Sequence, residues 1–284
     1  MSTSGFFEAP VVLFSRGIVE VAGADAASFL QGLITNDVTR AGAGRGVYAA
    51  LLTPQGKVIY DFIVFADNGR FLLDCVKHYA ADLTQRLVKY KLRAKVTVTD
   101  RSSELKVLSA RSASTFPEGA VATIIDPRLE ALGLRAIVPS QLATGEDESV
   151  YCLNRLQLGV PEALTDIPPE TFFPLDCNFE ELHGVDFDKG CYVGQELTAR
   201  MKHRASARRR ILPVEAAVRL PLAGTALKLG SSDIGELRGG IGNRGLALVR
   251  LDRLGDAREA MAGDIPVKIG RPAYPLILPG DEPV

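Results

Sequence analysis

Cys191 is the residue of this sequence whose surroundings most clearly predict chemistry. It lies in Lys189–Arg200, which reads Lys-Gly-Cys-Tyr-Val-Gly-Gln-Glu-Leu-Thr-Ala-Arg. Gln195–Lys202 contains good helix formers, so we expect Cys191 just before a helix N-terminus, where the helix dipole stabilises an anion. Lys189 is two residues away, and both effects lower a thiol pKa. Cys191 is therefore a candidate nucleophile, metal or cluster contact, or redox group, and the alternative is a space-filling loop cysteine.

No other local pattern predicts a reactive or metal-binding site. Cys75, Cys152 and Cys177 are too widely spaced for a CxxC zinc or redox motif, and the three histidines are scattered, so we expect no bound metal. Gly240–Gly245 has the spacing of a dinucleotide-binding loop, but the next segment, Leu246–Leu251, is strand-like rather than helical. We interpret it as a glycine-rich β-turn.

The overall composition is that of a soluble globular protein. The 284 residues include 33 Lys and Arg against 34 Asp and Glu, with 46% hydrophobic residues. These values exclude a disordered chain and a globally basic nucleic-acid binder. The longest runs without a charged residue have 11 members, too few to span a membrane. Met1–Pro10 lacks the pattern of a signal or transit peptide, so we expect a bacterial cytoplasmic protein.

The elements that must position Cys191 start with a β-meander in the first hundred residues. Thr53–Gly56 suits a type I turn, and Asn68-Gly69 is a strong hairpin signal, so Gly46–Val76 is predicted to form three antiparallel strands. Asp25–Leu33 and His78–Leu92 show helical spacing. Strands are also predicted around Val11–Phe14, Ile18–Val21, Lys95–Thr99, Leu105–Leu108, Val121–Ile125 and Leu134–Val138.

The second half of the chain changes character twice. Tyr151–Leu158 is predicted to be a helix that ends at Gly159, and Pro161–Pro174 is a long, proline-rich loop of a kind that is often functional. We therefore predict an α+β region over 1–205 and a small β-barrel domain over 206–284. The strands predicted in the second part are Ile211–Val214, Thr225–Leu229, Leu246–Leu251, Val267–Ile269 and Tyr274–Leu278.

Charge is unevenly distributed along the chain. Gln141–Asp188 contains eleven acidic residues and one base, whereas Arg200–Arg210 contains six bases and no acid. The two segments could be solvated faces of opposite sign. They could also form a basic rim that attracts an anionic ligand or a nucleic acid, and charge alone does not decide between these interpretations.

The Lys189–Glu196 segment resembles the K-G-C-[FY]-x-G-Q-E signature of the YgfZ-type folate-binding proteins, which are relatives of the aminomethyltransferase (T-protein) of the glycine cleavage system. The likeness covers most of the first 210 residues and is closest to the branch with mitochondrial iron–sulfur assembly factors and their bacterial counterparts. Upstream it is carried by Phe29–Asp37, Gly56–Asp61, Arg155–Glu162, Pro174-Leu175 and Asn178.

This resemblance implies a T-protein-like fold with interleaved α+β subdomains around a folate cavity, followed by a C-terminal β-barrel. It implies tetrahydrofolate binding and a role in the assembly or repair of 4Fe–4S clusters in a subset of enzymes, including radical-SAM tRNA-modifying enzymes. Cys191 and Lys189 would be the reacting residues. The residues implied to contact the folate are Asn36, Asp37, Tyr60, Asp61, Arg155, Gln157, Tyr192, Gln195, Glu196 and Arg200.

Two departures from T-protein bear on the mechanism. Tyr60-Asp61 stands where T-proteins carry an acidic pair, and Gln157 stands where they carry a glutamate that contacts the pterin. A phenol or an amide does not replace a carboxylate anion near neutral pH. We therefore predict folate binding without aminomethyl transfer, and folate-dependent aminomethyl or one-carbon transfer is the alternative function.

The expected partners are iron–sulfur client enzymes and cluster-assembly proteins, with no membrane. The Arg200–Arg210 segment could contact the folate glutamates or, weakly, a tRNA. The family resemblance suggests a monomer.

Overall fold

The computed structural model describes residues 9–203 and 208–281. These residues form two five-stranded sheets and a closed six-stranded barrel, joined by short helices and loops. The α+β class with a C-terminal barrel is as predicted. Within the described part of the chain, no helix is long and apolar enough to cross a bilayer.

The predicted meander is confirmed and forms the middle of one sheet. Its first turn is closed by a hydrogen bond from the Gly56 N–H to the Thr53 carbonyl (2.8 Å), and Asn68 and Gly69 both have positive φ in the second. The strand order is β4-β5-β6-β2-β7, with all neighbours antiparallel. The strands are β2 (Arg16–Ala22), β4 (Val47–Leu52), β5 (Val58–Asp67), β6 (Arg70–Val76) and β7 (Thr97–Asp100).

Two helices cover one face of this sheet. They are α1 (Ala26–Gln31) and α2 (Ala80–Lys91), each slightly shorter than the sequence predicts. Leu30 of α1 and Leu83 and Leu87 of α2 are completely buried against the sheet. The opposite face of the sheet points to the centre of the molecule.

A second sheet lies across this centre. Its strands have the order β1-β8-β10-β9-β3, and β3 pairs in parallel with β9. The buried Tyr48 ring of the first sheet stacks on Phe179 with ring centroids 4.9 Å apart, and both belong to the central apolar core. The strands are β1 (Val11–Val12), β3 (Gly44–Arg45), β8 (Leu105–Ala110), β9 (Ala122–Ile125) and β10 (Leu134–Pro139).

Helix α3 (Ser149–Leu158) connects the sheets to the barrel and ends at Gly159, whose φ of 77° suits a residue without a side chain. The proline-rich segment that follows contains no helix or strand before Pro174, as predicted. Helix α4 (Gln195–His203) comes directly after the Cys191 motif.

The barrel closes in the order β11-β14-β13-β12-β15-β16 around its own core. Gly240–Gly245 forms the turn between β13 and β14, which confirms the β-turn interpretation. The boundary at residue 205 stays a prediction. The elements are β11 (Arg209–Ala216), β12 (Ala226–Leu229), β13 (Ser232–Ile241), β14 (Arg244–Arg250), α5 (Leu251–Leu254), β15 (Glu259–Ala262) and β16 (Ile265–Ile269).

The predicted strand Tyr274–Leu278 is wrong, because these residues pair with no strand in the described structure. Tyr274 is instead held by its hydroxyl group, which donates to the Gly159 carbonyl (2.7 Å) and accepts from the Asn178 amide (2.7 Å). In the sequence, an apolar segment that is held by one side-chain hydroxyl group has the same pattern as a buried strand.

Candidate functional site

The Cys191 motif forms an exposed loop with a buried residue on each side of the cysteine. Lys189 and Tyr192 are buried, whereas Gly190 and Cys191 are exposed. Val193 packs against the core beneath α1 and α2. Helix α4 begins only at Gln195, so Cys191 precedes it by four residues and does not cap it. The thiol is thus presented at the surface by a loop whose neighbours are fixed.

Lys189 anchors the loop on one side. Its ammonium donates hydrogen bonds to the carbonyl oxygens of Gln31 (2.9 Å), Ile34 (2.7 Å) and Asn36 (2.9 Å), just beyond the end of α1. Burial lowers the pKa of Lys189 to about 8, although Asp37 and Asp186 act in the opposite direction. An ammonium group has three N–H donors, and all three are used here. The structure therefore gives Lys189 a positioning role and leaves no donor directed at the Cys191 thiol.

Asp186 shapes the same loop from inside. Its N–H donates to the Thr35 carbonyl (3.0 Å), and its Oδ1 accepts from the N–H groups of Asp188 (2.8 Å) and Lys189 (3.2 Å). Its Oδ2 lies 2.7 Å from the Arg40 guanidinium. The loop is consequently tied to the Thr35–Arg40 turn at several points.

Gly194 anchors the other side of the loop against the β4–β5 turn. Its φ is 82°, and a Cβ built there would lie 2.5 Å from the Thr53 carbonyl oxygen and 3.1 Å from the Gly56 Cα. Both neighbours are backbone atoms that cannot rotate away. Glycine is required at this position because of both its conformation and the close approach.

We expect Gly194→Ala to lower the free energy of unfolding by about 2 kcal/mol, since the new methyl group meets a backbone oxygen at positive φ. Urea unfolding of the variant and of the wild type measures this difference. Gly190→Ala is the matched control, because a Cβ there would meet no atom within 4 Å. Equal losses in both variants would contradict the tight contact at Gly194.

The centre of the molecule holds a group of buried ion pairs, here called the central ion cluster. Arg135 is completely buried, and its guanidinium lies 2.6 Å from Asp74 and 2.7 Å from Asp126. Its members come from both sheets, the connection between β9 and β10, α3 and the loop after α3, and no local sequence pattern predicted that they meet. They are Arg16, Arg128, Arg135, Arg155, Asp74, Asp126, Glu162 and Asp166.

Glu162 lies between the four arginines of this cluster. Nitrogen atoms of Arg128 and Arg155 lie 3.5 Å from its carboxylate, and those of Arg16 and Arg135 lie 3.9 Å away. Burial alone would raise the pKa of Glu162, but the arginines, Arg155 foremost, hold it at about 2. The carboxylate is therefore ionised at neutral pH.

Two of the ten predicted folate contacts belong to this central region. Asp61 is buried and accepts a hydrogen bond from the Tyr48 hydroxyl (2.9 Å), and burial raises its pKa. Arg155 donates to Asp166 (2.6 Å) and to the Val160 carbonyl (2.7 Å). Tyr60 is separated from them, because adjacent strand residues point to opposite faces. Its hydroxyl donates to Asp82 on the face covered by α2.

The remaining predicted contacts lie in three further places. Asn36 and Asp37 belong to the turn that carries Lys189, where the Asn36 amide donates to two carbonyls and Asp37 caps a short 3-10 helix. Gln157 accepts from Arg244 (3.1 Å) and lines a cleft of about 530 Å³ between α3 and the barrel. The last four residues belong to the motif loop and α4: Tyr192, Gln195, Glu196 and Arg200.

As a set, these ten residues lie in five separate places, and their binding of one folate molecule stays a prediction. Buried polar atoms without a hydrogen-bond partner do occur near the cluster, namely Asp61 Oδ1, Arg16 Nη1 and Arg155 Nε. Such donors and acceptors would suit the polar edge of a pterin. However, five cavities of about 440 to 800 Å³ are described, and Asp61 and Arg155 line none of them.

The basic segment Arg200–Arg210 does not form an open cationic rim where it is described. Arg200 pairs with Glu196, Lys202 with Glu180, Arg209 with Asp176 and Arg210 with Glu181. Three of these acids belong to the acidic segment noted in the sequence, so three of the six bases pair with that segment. Arg204 lies outside the described residues.

The four cysteines, all of them described, differ sharply in exposure. Cys191 is exposed, whereas Cys75 and Cys177 are buried and Cys152 is half-buried. Burial raises the pKa of Cys75 to about 12 and that of Cys152 to about 11. Within the described ranges, no group of three or more His, Cys, Asp or Glu side chains could hold a metal ion. The chain therefore offers one accessible thiol and no complete metal site there.

Two family models match separate parts of the chain. The GCVT N-terminal domain model matches residues 14–111, and the model of the CAF17 C-terminal β-barrel domain matches residues 208–275. The crystal structure of glycine cleavage system aminomethyltransferase T from Bartonella henselae is similar, with a TM-score of 0.74 over 93% of this chain and 85% of that chain. At 16% identity this likeness establishes the T-protein-like fold alone.

Similar sequences carry more specific names. The chain is 36% identical to the human mitochondrial iron–sulfur cluster assembly factor IBA57, over 89% of this chain and 80% of that protein. The mouse protein of the same name is 36% identical over 85% of this chain and 77% of its own length. The Neurospora crassa homologue is 37% identical over 71% of this chain, which spans only 52% of that longer protein.

These names correct one prediction and refine another. The relatives are named as mitochondrial proteins, so the prediction of a bacterial cytoplasmic location is wrong. It rested on Met1–Pro10, most of which lies outside the described residues. The resemblance to iron–sulfur assembly factors is confirmed, whereas the YgfZ-type label stays a prediction. The chain belongs to the IBA57 family of iron–sulfur cluster assembly factors.

Proposed function

We propose that this chain acts in the assembly of 4Fe–4S clusters, and that the Cys191 thiol is its contact with the cluster or with the protein that carries it. The observation that carries the proposal is the exposed thiol on a loop fixed by Lys189 and Gly194. A surface thiolate can bond to iron, and the fixed loop keeps it in a constant position. The IBA57 relatives, named as assembly factors, support the same role.

A partner must supply the other ligands under this proposal. A 4Fe–4S cluster is usually held by four cysteine thiolates. The described residues contain no group of three or more metal-ligating side chains, and the remaining cysteines are wholly or partly buried. The chain would therefore act on a cluster shared with a client enzyme or an assembly protein.

We expect Cys191→Ser to lower the activity of 4Fe–4S client enzymes in cells by about tenfold or more. Removing a residue that only hydrogen-bonds to a metal ligand already lowers metal affinity or activity by about tenfold or more, and removing the ligand itself should lower it at least as much. The exposed position predicts an unchanged thermal unfolding midpoint. Cys152→Ser is the matched control and should retain activity. Normal client activity in Cys191→Ser cells would refute the role of the thiol. If radical-SAM tRNA-modifying enzymes are among the clients, the tRNA modifications that they install fall in parallel.

Tetrahydrofolate binding is tested separately from the thiol. The ten predicted contacts occupy five separate places. We therefore expect that titration with tetrahydrofolate will show no saturable binding that depends on both Asp61 and Gln157. Fluorescence titration of the wild type beside Asp61→Asn and Gln157→Ala measures this. If the wild type binds tetrahydrofolate with micromolar affinity and each substitution abolishes this binding, the ten predicted contacts assemble around the ligand. Aminomethyl transfer, the alternative function, gains no support, because Tyr60 contacts Asp82 on the far face of the sheet.

A further inference from the structure

The end of helix α2 carries an exposed apolar side chain surrounded by cations. Leu92 follows the last residue of α2 and is 88% exposed, and Val88, one turn earlier, is 48% exposed. The sequence from Leu83 to Thr99 contains no Asp or Glu. We call this surface the Leu92 patch; its residues are Val88, Lys89, Lys91, Leu92, Arg93 and Lys95.

The backbone at Leu92 is unfavourable for leucine. Its φ of 46° and ψ of −107° lie outside the αL region of ordinary helix caps, at a positive φ that residues other than glycine rarely adopt. An exposed leucine in this conformation costs free energy through its backbone strain and through the contact of its apolar side chain with water. Such strain persists where the rest of the structure or a function maintains it. Lysines in the last turn of α2 interact favourably with the helix dipole. This interaction explains neither the leucine at position 92 nor the cations beyond the helix.

The cations of the patch are available to a partner. In the described part of the chain, Lys89, Lys91, Arg93 and Lys95 form no ion pair within 4 Å. The nearby Asp25 carboxylate accepts a hydrogen bond from the Lys95 backbone N–H (2.7 Å) instead. The patch therefore presents several uncompensated positive charges around one apolar side chain, which complements an acidic surface with an apolar depression.

Helix α1 connects this patch to Cys191. Asp25, before its first residue, binds the Lys95 backbone, and Gln31, its last residue, binds the Lys189 ammonium. Six residues of helix span about 9 Å. With the two hydrogen bonds, the Asp25 and Lys189 side chains and the two residues from Lys189 to Cys191, these contacts keep Lys95 of the patch within about 35 Å of Cys191. A standard interface covers about 800 Å² per partner, or a disc about 30 Å across, and larger interfaces cover about 1,000–2,500 Å² per partner, or a disc about 35–55 Å across. One partner with an interface of the larger class can therefore cover both.

The surface between them is suited to close contact. The outward residues of the α1 region are small and uncharged: Ala24, Ala27, Ser28 and Gly32 are all exposed. They place no bulky or charged obstacle between the cations and the thiol. We propose that an acidic protein, which delivers or receives the iron–sulfur cluster, docks across α1 with its acidic surface on the Leu92 patch and its cluster ligands beside Cys191. This inference rests on the proposed function of Cys191 and adds the partner surface.

The test uses the full chain with a benzophenone photocrosslinker placed at position 92 or attached to the Cys191 thiol, in cells that depend on this chain. We expect one and the same protein to be captured from both positions, with an acidic peptide at the position-92 crosslink. A crosslinker at position 222, an equally exposed leucine of the barrel, is the control and should not capture that protein. Different proteins from positions 92 and 191, or a peptide without acidic residues, would overturn the proposal.

Charge and strain variants give a second measurement. Lys89→Glu with Arg93→Glu should lower the crosslink yield at Cys191 by about tenfold, because like charges then face the partner, whereas Lys228→Glu with Lys268→Glu on the barrel should not. Leu92→Gly should lower the yield without lowering the thermal midpoint, since glycine relieves the strained backbone. An unchanged yield in both patch variants would overturn the proposal.

Two further outcomes would assign the patch to another class of partner. If the wild type, but not the patch variants, binds to vesicles of phosphatidylcholine and phosphatidylserine, the partner is a membrane and the proposal is overturned. Binding of the wild type, but not of the patch variants, to bulk tRNA would overturn it in the same way. Capture at position 92 should persist in Cys191→Ser, because docking needs no thiol. Loss of docking is thus distinguishable from failure of the thiol function, which is read from client activity.

Discussion

Replacing Arg135 with methionine is expected to lower the free energy of unfolding by about 4 kcal/mol, which is about a thousandfold in the folding equilibrium. The Arg135 guanidinium is completely buried and contacts Asp74, Asp126 and the Tyr151 hydroxyl. Without it, the carboxylates of Asp74 and Asp126 lose a buried partner. For a chain of this size, we expect a fall in the thermal midpoint of about 10 °C.

The size of this effect follows from the difference between the free energy of assembling buried ion pairs and the free energy of removing one partner from them. Assembling the central ion cluster costs desolvation, so the intact cluster need not contribute much net stability. Removing one cation leaves the remaining charges without compensation, which costs several times more than losing a surface pair. Arg128 still pairs with Asp126, and Arg16 with Asp74, so the loss is partial rather than complete.

Urea unfolding monitored by circular dichroism measures the prediction, with Arg250→Met as the matched control. Arg250 also pairs with an aspartate, Asp252, but at the surface, and its loss should leave the unfolding midpoint unchanged. A midpoint for Arg135→Met that is indistinguishable from that of the control would show that the cluster is not a closely packed, dry ion network.

The sequence predicts the meander and the motif loop well because local rules determine them. The Thr53–Gly56 and Asn68-Gly69 turns require particular residues, and the strands between them are continuous apolar runs. Similarly, two glycines around an exposed cysteine indicate a tight surface loop. These features depend on neighbours a few residues apart, which a sequence displays directly.

The central ion cluster could not be predicted in this way. Arg16, Asp74, Arg135 and Glu162 lie on elements far apart in the chain and meet only after the sheets pack. A charged residue in a strand or loop is usually exposed, so each of them suggests a solvated face when it is considered alone. Only tertiary packing shows that they compensate one another.

The ten predicted folate contacts illustrate a different limit. They were transferred residue by residue from a family resemblance. Tyr60 and Asp61 are adjacent in β5, so strand alternation already places them on opposite faces. Asp61 contacts Tyr48 near the centre, and Tyr60 contacts Asp82 beneath α2. A family motif preserves the sequence positions of a site, but each side chain must still be shown to reach the same cavity.

The second large effect concerns Lys189→Met, which we expect to lower the free energy of unfolding by about 3 kcal/mol. Three hydrogen bonds from a charged donor to Gln31, Ile34 and Asn36 are lost, each worth about 1.5–3 kcal/mol. The total is smaller than their sum, because burial disfavours the charged amine and lowers its pKa to about 8. Client activity should fall as well, since the loop that presents Cys191 loses its anchor.

Two measurements separate this positioning role from the activation of the thiol that the sequence predicted. Lys189→Arg keeps the charge, but its planar guanidinium cannot reproduce three bonds that converge on one nitrogen, so we expect it to rescue little of the stability. The pH profile of Cys191 alkylation by iodoacetamide should have the same midpoint in the wild type and in Lys189→Met. If that midpoint moves to higher pH in Lys189→Met and is restored by Lys189→Arg, the lysine acts on the thiol through its charge. An unmoved midpoint with lost client activity would instead show that Lys189 acts through the position of the loop.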